Sequence, residues 1–316
     1  MTFLTSLFVV SFVSAVLLAA NSINPGRGRK PDKLNPVHAT DIELVKKITI
    51  KGKPSWAGGG GGKKTEGVAT GFLGAEVTGT RYAVVVGISD YPGTVNDLNY
   101  CDDDAIEMRD ALSNAYGFSN IALLLDGSAT REAILSAIDD ISEVATDIDE
   151  VVFFFSGHGV KGLAQDWDKE RVDEGICVWA NDEYGNPIET MTYIWDGELA
   201  DAFSGFETSR IIFIFDTCLA GGMAGDLEEP GRIIAMACGE NGYSYENIVW
   251  ENGEFTYYFV QKGINGGLAN VHDYYDSGTT GISEQVTIEE AYDYAKANCE
   301  YDRPTVADEF NDDLLP

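Results

Sequence analysis

Residues 151–159 read VVFFFSGHG: five apolar residues in succession, followed at once by a serine, a glycine and His158. Residues 211–222 repeat this arrangement as IIFIFDTCLAGG, with Cys218 soon after the apolar run. Unbroken apolar runs of this length are typical of strands buried on both faces of a parallel sheet. Because ligands bind at the carboxyl ends of the strands in an open α/β sheet, the residues that follow the two runs should meet at one edge.

Short apolar runs alternate with amphipathic segments on either side of these two stretches. Further strands are predicted at residues 82–88, 121–125, 176–180 and 233–237. Helices are predicted at residues 102–117, after the cap Thr130 through 145, near 197–206, and from the capping box of Thr287 and Glu290 through 298. This alternation predicts a three-layer α/β sandwich, with a mostly parallel central sheet of about six strands and helices on both faces.

His158 and Cys218 are the candidate catalytic pair. A thiol is mostly protonated at neutral pH, and a nearby imidazole can produce the thiolate or pass a proton to a leaving amine. The N–H groups of Gly159 and Cys218 are candidates to hold an oxyanion. Each residue alone has an ordinary structural interpretation, as a packed cysteine or a hydrogen-bonded histidine. Their shared position after apolar strands favours catalysis, and His38 and His272 lack that setting.

The charge of the chain is distributed unevenly. The net charge is −31, and it divides into +6 for residues 1–81 and −37 for residues 82–316. The acidic body argues against nucleic-acid binding, because it would repel phosphates, and it favours cationic partners, metal ions or a salty medium. A solvated surface that keeps the protein soluble explains the acidic charge equally well. The five cysteines show no paired spacing that would indicate structural zinc.

The N-terminal part of the chain has a different composition. Residues 1–20 are apolar and uncharged and end in small residues, as a secretory signal peptide does. Residues 21–80 are basic and rich in glycine and proline, with an unbroken glycine run at 58–62, which is typical of a linker or pro-segment. One short strand is expected in this segment, at residues 48–51. We expect an exported protein, secreted or tethered to the membrane through residues 1–20. Because the positive charges follow the apolar run, a cytoplasm-facing membrane anchor is the alternative.

Residues 81–316 resemble the caspase and metacaspase group of cysteine peptidases. SGHG at 156–159 is similar to the family's histidine motif, and DTC at 216–218 to the metacaspase form of its cysteine motif. Other similar segments, in the same order, are RYAVVVGISDY at 81–91, LNYCDDDA at 98–105, GEFTYYF at 253–259 and RPT at 303–305. The resemblance implies a caspase-like fold for residues 81–316 and a cysteine-type endopeptidase that requires no cofactor. Legumain-like and gingipain-like peptidases share the dyad and the sheet.

Two aspartates bear on the substrate that the resemblance implies. Asp104, in the turn CDDDA at 101–105, and Asp216 match positions where metacaspase-like enzymes hold arginine or lysine. A pair of carboxylates in a cleft suits a guanidinium or an ammonium group. The expected substrates are therefore proteins or peptides with basic residues. The alternative for Asp104 is that it only caps its helix.

The resemblance also raises calcium as an activator, because some metacaspases are switched on by it through acidic loops. Weak candidate ligands here are Asp173, Asp182 and Asp226, with Asp166, Asp168, Glu174 and Glu183 in the same loops. Their spacing matches no fixed calcium loop, so a solvated acidic surface is an equal alternative.

The opposite charges of leader and body suggest a further hypothesis. Residues 21–80 are interpreted as a pro-segment whose basic side chains dock in the acidic cleft, with Lys63-Lys64 as an accessible cleavage point. A passive linker is the alternative. For the body, the alternatives to a peptidase that cuts after Arg or Lys are a legumain-like preference and a catalytically inactive scaffold.

Overall fold

The structure, a computed structural model, describes residues 36–51, 77–164, 172–270 and 285–310. The strands are β1 (Ala39–Val45), β2 (Ile48–Ile50), β3 (Arg81–Gly87), β4 (Asn120–Leu125), β5 (Glu150–Ser156), β6 (Gly159–Ala164), β7 (Asp173–Asn181), β8 (Pro187–Trp195), β9 (Ile211–Asp216), β10 (Arg232–Met236), β11 (Tyr245–Asn247), β12 (Asn252–Gly253) and β13 (Thr305–Asp308). The helices are α1 (Cys101–Tyr116), α2 (Arg131–Ser142), α3 (Asp196–Phe203), α4 (Ala224–Leu227), α5 (Glu254–Thr256), which continues as a π-helical segment Tyr257–Ile264, and α6 (Ile288–Asn298).

A six-stranded sheet forms the middle layer, in the order β13-β10-β9-β5-β3-β4. Its strands are parallel except β13, which pairs antiparallel with β10 at one edge. Every residue of β5, β9 and β10 is buried, as their unbroken apolar sequences predict. The prediction of a mostly parallel sheet of about six strands is confirmed.

Helices cover both faces of this sheet. Alternate side chains of a strand point to opposite faces, so Phe153 and Phe154 of β5 belong to two separate cores. Phe153 lies in the core that receives Ile134 and Ile138 of α2, whereas Phe154 shares its core with Met108 of α1 and with residues of α6. The three-layer α/β architecture is therefore the one that the alternation of the sequence predicts.

Local signals in the sequence place several helix ends correctly. Helix α1 ends before Gly117, whose φ of 71° is left-handed and favours glycine. The Thr130 side chain accepts a hydrogen bond from the Ala133 amide and caps α2. Thr287 and Glu290 form the predicted capping box at the start of α6. These helices pack on the two faces of the sheet.

The strand predicted at residues 176–180 lies outside the central sheet. It is part of the longer β7, in a second sheet of order β1-β6-β7-β8. Its neighbour β8 exposes its first four residues and pairs antiparallel with β7, so the sequence carries no apolar run that announces it. The second sheet extends directly from the segment that follows β5, because only two residues separate β5 from β6.

The described part of the basic leader also forms strands. Strand β2 agrees with the short strand expected near residues 48–51, whereas β1 was not expected. Only Val45 of β1 is fully buried, so the segment has no apolar signal, and it is held by antiparallel pairing with β6. Residues 1–20, the glycine run 58–62 and Lys63-Lys64 lie outside the described residues. Among the helices that the structure describes, none is long and apolar enough to cross a membrane.

Candidate active site

The two motif segments leave the sheet side by side. Strands β5 and β9 are parallel neighbours, with Ser156 directly opposite Asp216 at their carboxyl ends. His158 follows two residues after Ser156, and Cys218 two residues after Asp216. The structure thus brings together the two segments that the sequence singled out, at the edge where an open α/β sheet binds ligands.

Glycine is required where these segments touch. A Cβ atom at Gly159 would lie 2.1 Å from the carbonyl oxygen of Cys218, and one at Gly157 would lie 2.5 Å from the Tyr91 hydroxyl. Real Cβ atoms do not approach other atoms so closely. A side chain at position 159 would push the two motif loops apart, and one at position 157 would displace Tyr91. Gly159 and Cys218, the predicted oxyanion-binding residues, are adjacent.

The His158 ring is held by three neighbours. It stacks on Tyr91 with ring centroids 4.7 Å apart, and its Nε2 lies 2.7 Å from the carbonyl oxygen of Asn96. Because a carbonyl only accepts, Nε2 carries the proton in the neutral ring and Nδ1 is the free acceptor. Nδ1 accepts a hydrogen bond of 3.1 Å from the backbone N–H of Lys47. Burial lowers the pKa of His158 to about 4, so the imidazole is neutral in this state.

Cys218 is nearly enclosed, with 1% of its surface exposed. Its Sγ accepts a hydrogen bond of 3.2 Å from the Ser244 amide and lies 3.8 Å from the Ser244 carbonyl oxygen. Burial raises the pKa of Cys218 to about 12, against the opposing effect of that amide and of Lys47. The next residue, Leu219, has a left-handed φ of 63°, a conformation that is uncommon for leucine and marks a sharp turn. The thiol is therefore protonated and shielded in this state.

Asp104 and Asp216 lie together in a fully buried pocket. Asp104 accepts hydrogen bonds from the Gly253 amide at 2.9 Å and the Ser156 hydroxyl at 2.7 Å. Burial raises the pKa of Asp104 to about 8, and the neighbouring Asp216 adds to this while Lys47 opposes it. Asp104 lies in the first turn of α1. Its side chain faces the pocket, where it accepts from Gly253 and Ser156, so a role as a helix cap does not account for its position.

Asp216 is fixed by its own hydrogen bonds. Its Oδ1 accepts from the Ser244 hydroxyl at 2.6 Å, and its Oδ2 accepts from the amide and the hydroxyl of Thr256 at 3.0 and 2.7 Å. A Cβ at Gly253 would lie 2.3 Å from Asp216 and 2.7 Å from the Lys47 ammonium. The pocket therefore depends on the missing side chain at residue 253.

The pocket is filled by a lysine of the leader. Lys47 Nζ lies 2.6 Å from Asp216 Oδ1, 3.6 Å from Asp104 Oδ2 and 3.2 Å from the Ser156 hydroxyl, with none of its side chain exposed. Burial alone would lower the pKa of Lys47, yet attraction, chiefly to Asp216, outweighs it and holds that pKa well above its ordinary value. The pocket thus holds an alkylammonium group through complementary charge.

Sequence reasoning missed several of these residues. Ser156 stands inside the quoted SGHG motif and could have been assigned from its position opposite Asp216. Lys47 shares its basic surroundings with Lys46 and with Lys63-Lys64, so no local signal distinguishes it. Ser244 lies in a loop of Gly, Tyr and Asn residues without a motif. Asp302 is buried next to RPT at 303–305 and accepts from the Tyr245 amide at 3.0 Å, which supports β11.

The weak calcium candidates are not brought together as one site. Asp173 begins β7 and Asp182 follows its end, so the nine-residue strand separates them by about 30 Å. The Asp182 carboxylate accepts hydrogen bonds from the amides of Tyr184 and Asn186 in its own turn. Asp226 lies in α4, and Asp173 accepts from the Ala164 amide at 2.8 Å. Asp166 and Asp168 lie outside the described residues.

Comparison with models of protein families shows to which family the chain belongs. The model of the caspase domain family matches residues 80–301, which include both motif segments and the acidic pocket. The chain belongs to the caspase-domain family. The resemblance stated from the motifs is confirmed.

Curated relatives of this caspase-domain chain are metacaspases. It is 30% identical over 158 residues to Metacaspase-4 of Arabidopsis thaliana, covering 48% of this chain and 36% of the relative. It is 30% identical over 157 residues to Metacaspase-1 of Saccharomyces cerevisiae, covering 46% and 35%. With Metacaspase-1 of Schizosaccharomyces pombe it shares 25% identity over 231 residues, covering 65% and 48%. The chain thus spans between about a third and a half of the length of these relatives.

A solved structure supports the fold alone. The crystal structure of protein GSU0716 from Geobacter sulfurreducens matches with a TM-score of 0.50 at 17% identity, covering 73% of this chain and 94% of that chain. The caspase-like α/β fold is therefore supported by family, architecture and structural similarity together.

Proposed function

We propose that this chain is a cysteine endopeptidase that cuts after lysine or arginine, with Cys218 as nucleophile and His158 as its proton-transfer partner. The single observation that carries the specificity is the Lys47 ammonium between Asp216 and Asp104. Membership of the caspase-domain family supports peptide hydrolysis.

The proposed reaction begins with the thiol. When a substrate lysine or arginine fills the acidic pocket, its carbonyl carbon lies at Cys218, and His158 Nδ1 takes the thiol proton as Sγ attacks. The oxyanion is held by the N–H groups of Gly159 and Cys218. His158 then gives the proton to the leaving nitrogen, which departs as the amine and leaves a thioester on Cys218. Water, deprotonated by the same imidazole, hydrolyses the thioester and restores the thiol.

The pocket supplies the selectivity. The Asp216 carboxylate offers an ammonium or guanidinium group a charge-assisted hydrogen bond in a dry environment, and the Asp104 carboxyl group and the Ser156 hydroxyl offer further acceptors. An aspartate or asparagine side chain would bring a negative charge or a neutral amide to the same place. The acidic pocket therefore favours basic over acidic or neutral residues.

The dyad supplies both nucleophile and proton transfer, so we propose that the reaction itself needs no cofactor. The family resemblance supports a proposal that calcium is an activator. We propose export on the composition of residues 1–20, which lie outside the described residues.

A panel of fluorogenic peptides tests the proposed function. Substrates that differ only in the residue before the cut, Lys, Arg, Asn or Asp, are compared on the full chain, on Lys47→Ala and on Cys218→Ala, with reductant and with and without calcium. We expect cleavage of the Lys and Arg peptides, at least about a hundredfold faster than the others because of the buried charge pairing, and none by Cys218→Ala. A preference for Asn would indicate a legumain-like enzyme, and cleavage of no peptide a scaffold.

A further inference from the structure

The leader segment crosses the candidate active site as a strand on either side of it. Before the site, β1 pairs antiparallel with β6, with Val45 opposite Gly159. After the site, β2 pairs parallel with β11, with Ile48 opposite Tyr245. Val45 also packs against Cys218 and Leu219. The leader therefore occupies the surface on which a peptide substrate would lie, by the strand addition that many peptide-binding sites use.

The direction of the leader follows from two hydrogen bonds. The Lys47 N–H points to His158 Nδ1 at 3.1 Å, and the Ile48 N–H donates to the Ser244 carbonyl at 3.0 Å. That Ser244 carbonyl is the one that lies 3.8 Å from the Cys218 thiol. The chain thus passes from the imidazole side to the Ser244 side as the residue number increases.

A substrate has to run the other way. With a lysine side chain in the pocket, the nitrogen that leaves belongs to the next residue, and it must lie at the imidazole to receive a proton. The residues before that lysine would then extend along β11 on the Ser244 side, antiparallel to it. In the leader, the backbone nitrogen that lies at the imidazole belongs to Lys47 itself. The nitrogen that would have to leave, that of Ile48 in the Lys47–Ile48 bond, donates instead to the Ser244 carbonyl.

We propose that residues 39–50 are a built-in inhibitor, anchored by Lys47 in the acidic pocket and bound with reversed chain direction, so that the Lys47–Ile48 bond is not cut by its own active site. The proposal rests on the proposed function for its enzymatic readout. It assigns the pro-segment role to a segment upstream of Lys63-Lys64, and it makes release of the leader, rather than a cut at Lys47, the step that opens the site.

The enzyme is then held in a closed state, and its own active site cannot open it by cutting the Lys47–Ile48 bond. Opening requires Lys47 to leave the pocket, or a cut elsewhere in the leader that weakens the strand pairing. While Lys47 stays in place, an added substrate binds only to the fraction of molecules that are open, and its apparent affinity is reduced by that fraction.

The test compares full-length wild type with Lys47→Ala, the near-isosteric Lys47→Met and a matched control, Lys51→Ala. The control removes the same charge from an exposed leader residue four positions further on. Three readouts are taken on each protein: hydrolysis of an added lysyl peptide, the rate at which iodoacetamide alkylates Cys218 at pH 7.5, and the intact mass after prolonged incubation.

We expect both Lys47 variants to hydrolyse the peptide at least about tenfold faster than wild type, since the open fraction rises, and to alkylate Cys218 faster by a similar factor. Lys51→Ala should stay within about threefold of wild type. Wild type should show no fragment that begins at Ile48, even at concentrations where the added peptide is consumed.

Different failures point to different parts of the account. A concentration-independent cut between Lys47 and Ile48 would overturn the reversed direction. Equal peptide hydrolysis and equal alkylation in wild type and both Lys47 variants would overturn the inhibitory role. Faster alkylation of Cys218 in the Lys47 variants, with no peptide hydrolysis by any of the proteins, would support docking of the leader and contradict the proposed peptidase activity.

Discussion

Replacing Cys218 by alanine is expected to lower kcat for a lysyl peptide by about 10⁴- to 10⁶-fold, the range seen when a nucleophile is removed from an enzyme whose residues act as a unit. The reason is that an alanine side chain cannot attack the peptide bond or form the thioester intermediate. The measurement is single-peptide kinetics, made on the full chain and repeated with Lys47→Ala so that the pocket is open.

The matched control for this change is Cys177→Ala. Cys177 is as buried as Cys218, but its sulfur contacts Met191 Sδ at 3.5 Å within the second sheet. Its loss should leave the rate within about tenfold, since it removes packing rather than a reacting group. His158→Ala should fall about as far as Cys218→Ala, because the pair acts together. A Cys218→Ala protein that kept a tenth of the activity would show that the thiol is not the nucleophile.

Replacing Asp216 by asparagine is expected to lower the free energy of unfolding of the full chain by about 3–5 kcal/mol, because it leaves the buried Lys47 ammonium with a weaker partner. The Lys47–Asp216 pair is 2.6 Å long and neither side chain is exposed. Asparagine keeps the shape of the site, so the loss reports the charge. Urea unfolding followed by tryptophan fluorescence measures it. If the leader leaves the pocket while the body stays folded, part of the lost free energy of unfolding would appear as a first, smaller transition at lower urea concentration.

Two further proteins make this result specific. Asp110→Asn removes the partner of Arg109 in an ion pair whose side chains are 36% and 51% exposed, so the change should stay below about 1 kcal/mol. The double variant Asp216→Asn with Lys47→Met should recover part of the loss, because no charge is then left unpaired. If the double variant lost the sum of the two single effects, the pair would not be coupled and the pocket would not be held by charge.

The sequence predicts the central sheet well because burial on both faces leaves an unmistakable pattern. Strands β5 and β9 are uninterrupted apolar runs, and the motifs follow them directly, so the position of His158 and Cys218 at one edge could be predicted from the chain alone. Asp104 and Asp216 could be paired only through the family resemblance, and the structure places both in one buried pocket.

The remaining features depend on main-chain pairing or on distant contacts. Strands β1 and β8 are largely exposed and polar, so their strand character comes from their neighbours rather than from their own side chains. Lys46 and Lys47 both lie in the two-residue link between β1 and β2. The Lys47 side chain enters the pocket, whereas Lys46 is exposed and its Nζ donates to the Val95 carbonyl at 2.7 Å. The opposite charges of leader and body predict that the leader docks in the acidic cleft. Only the structure identifies Lys47 as the residue that enters the pocket.

We propose that the acidic pocket of Asp104 and Asp216 selects a positive side chain for cleavage at Cys218. The most direct measurement compares two peptides that differ in one residue before the cut, lysine or its uncharged analogue norleucine, on the Lys47→Ala protein. We expect kcat/KM for the lysine peptide to exceed that for the norleucine peptide by a factor of at least about 10², because norleucine loses about 3 kcal/mol of buried charge pairing. Equal rates for the two peptides, or faster cleavage of the norleucine peptide, would contradict it.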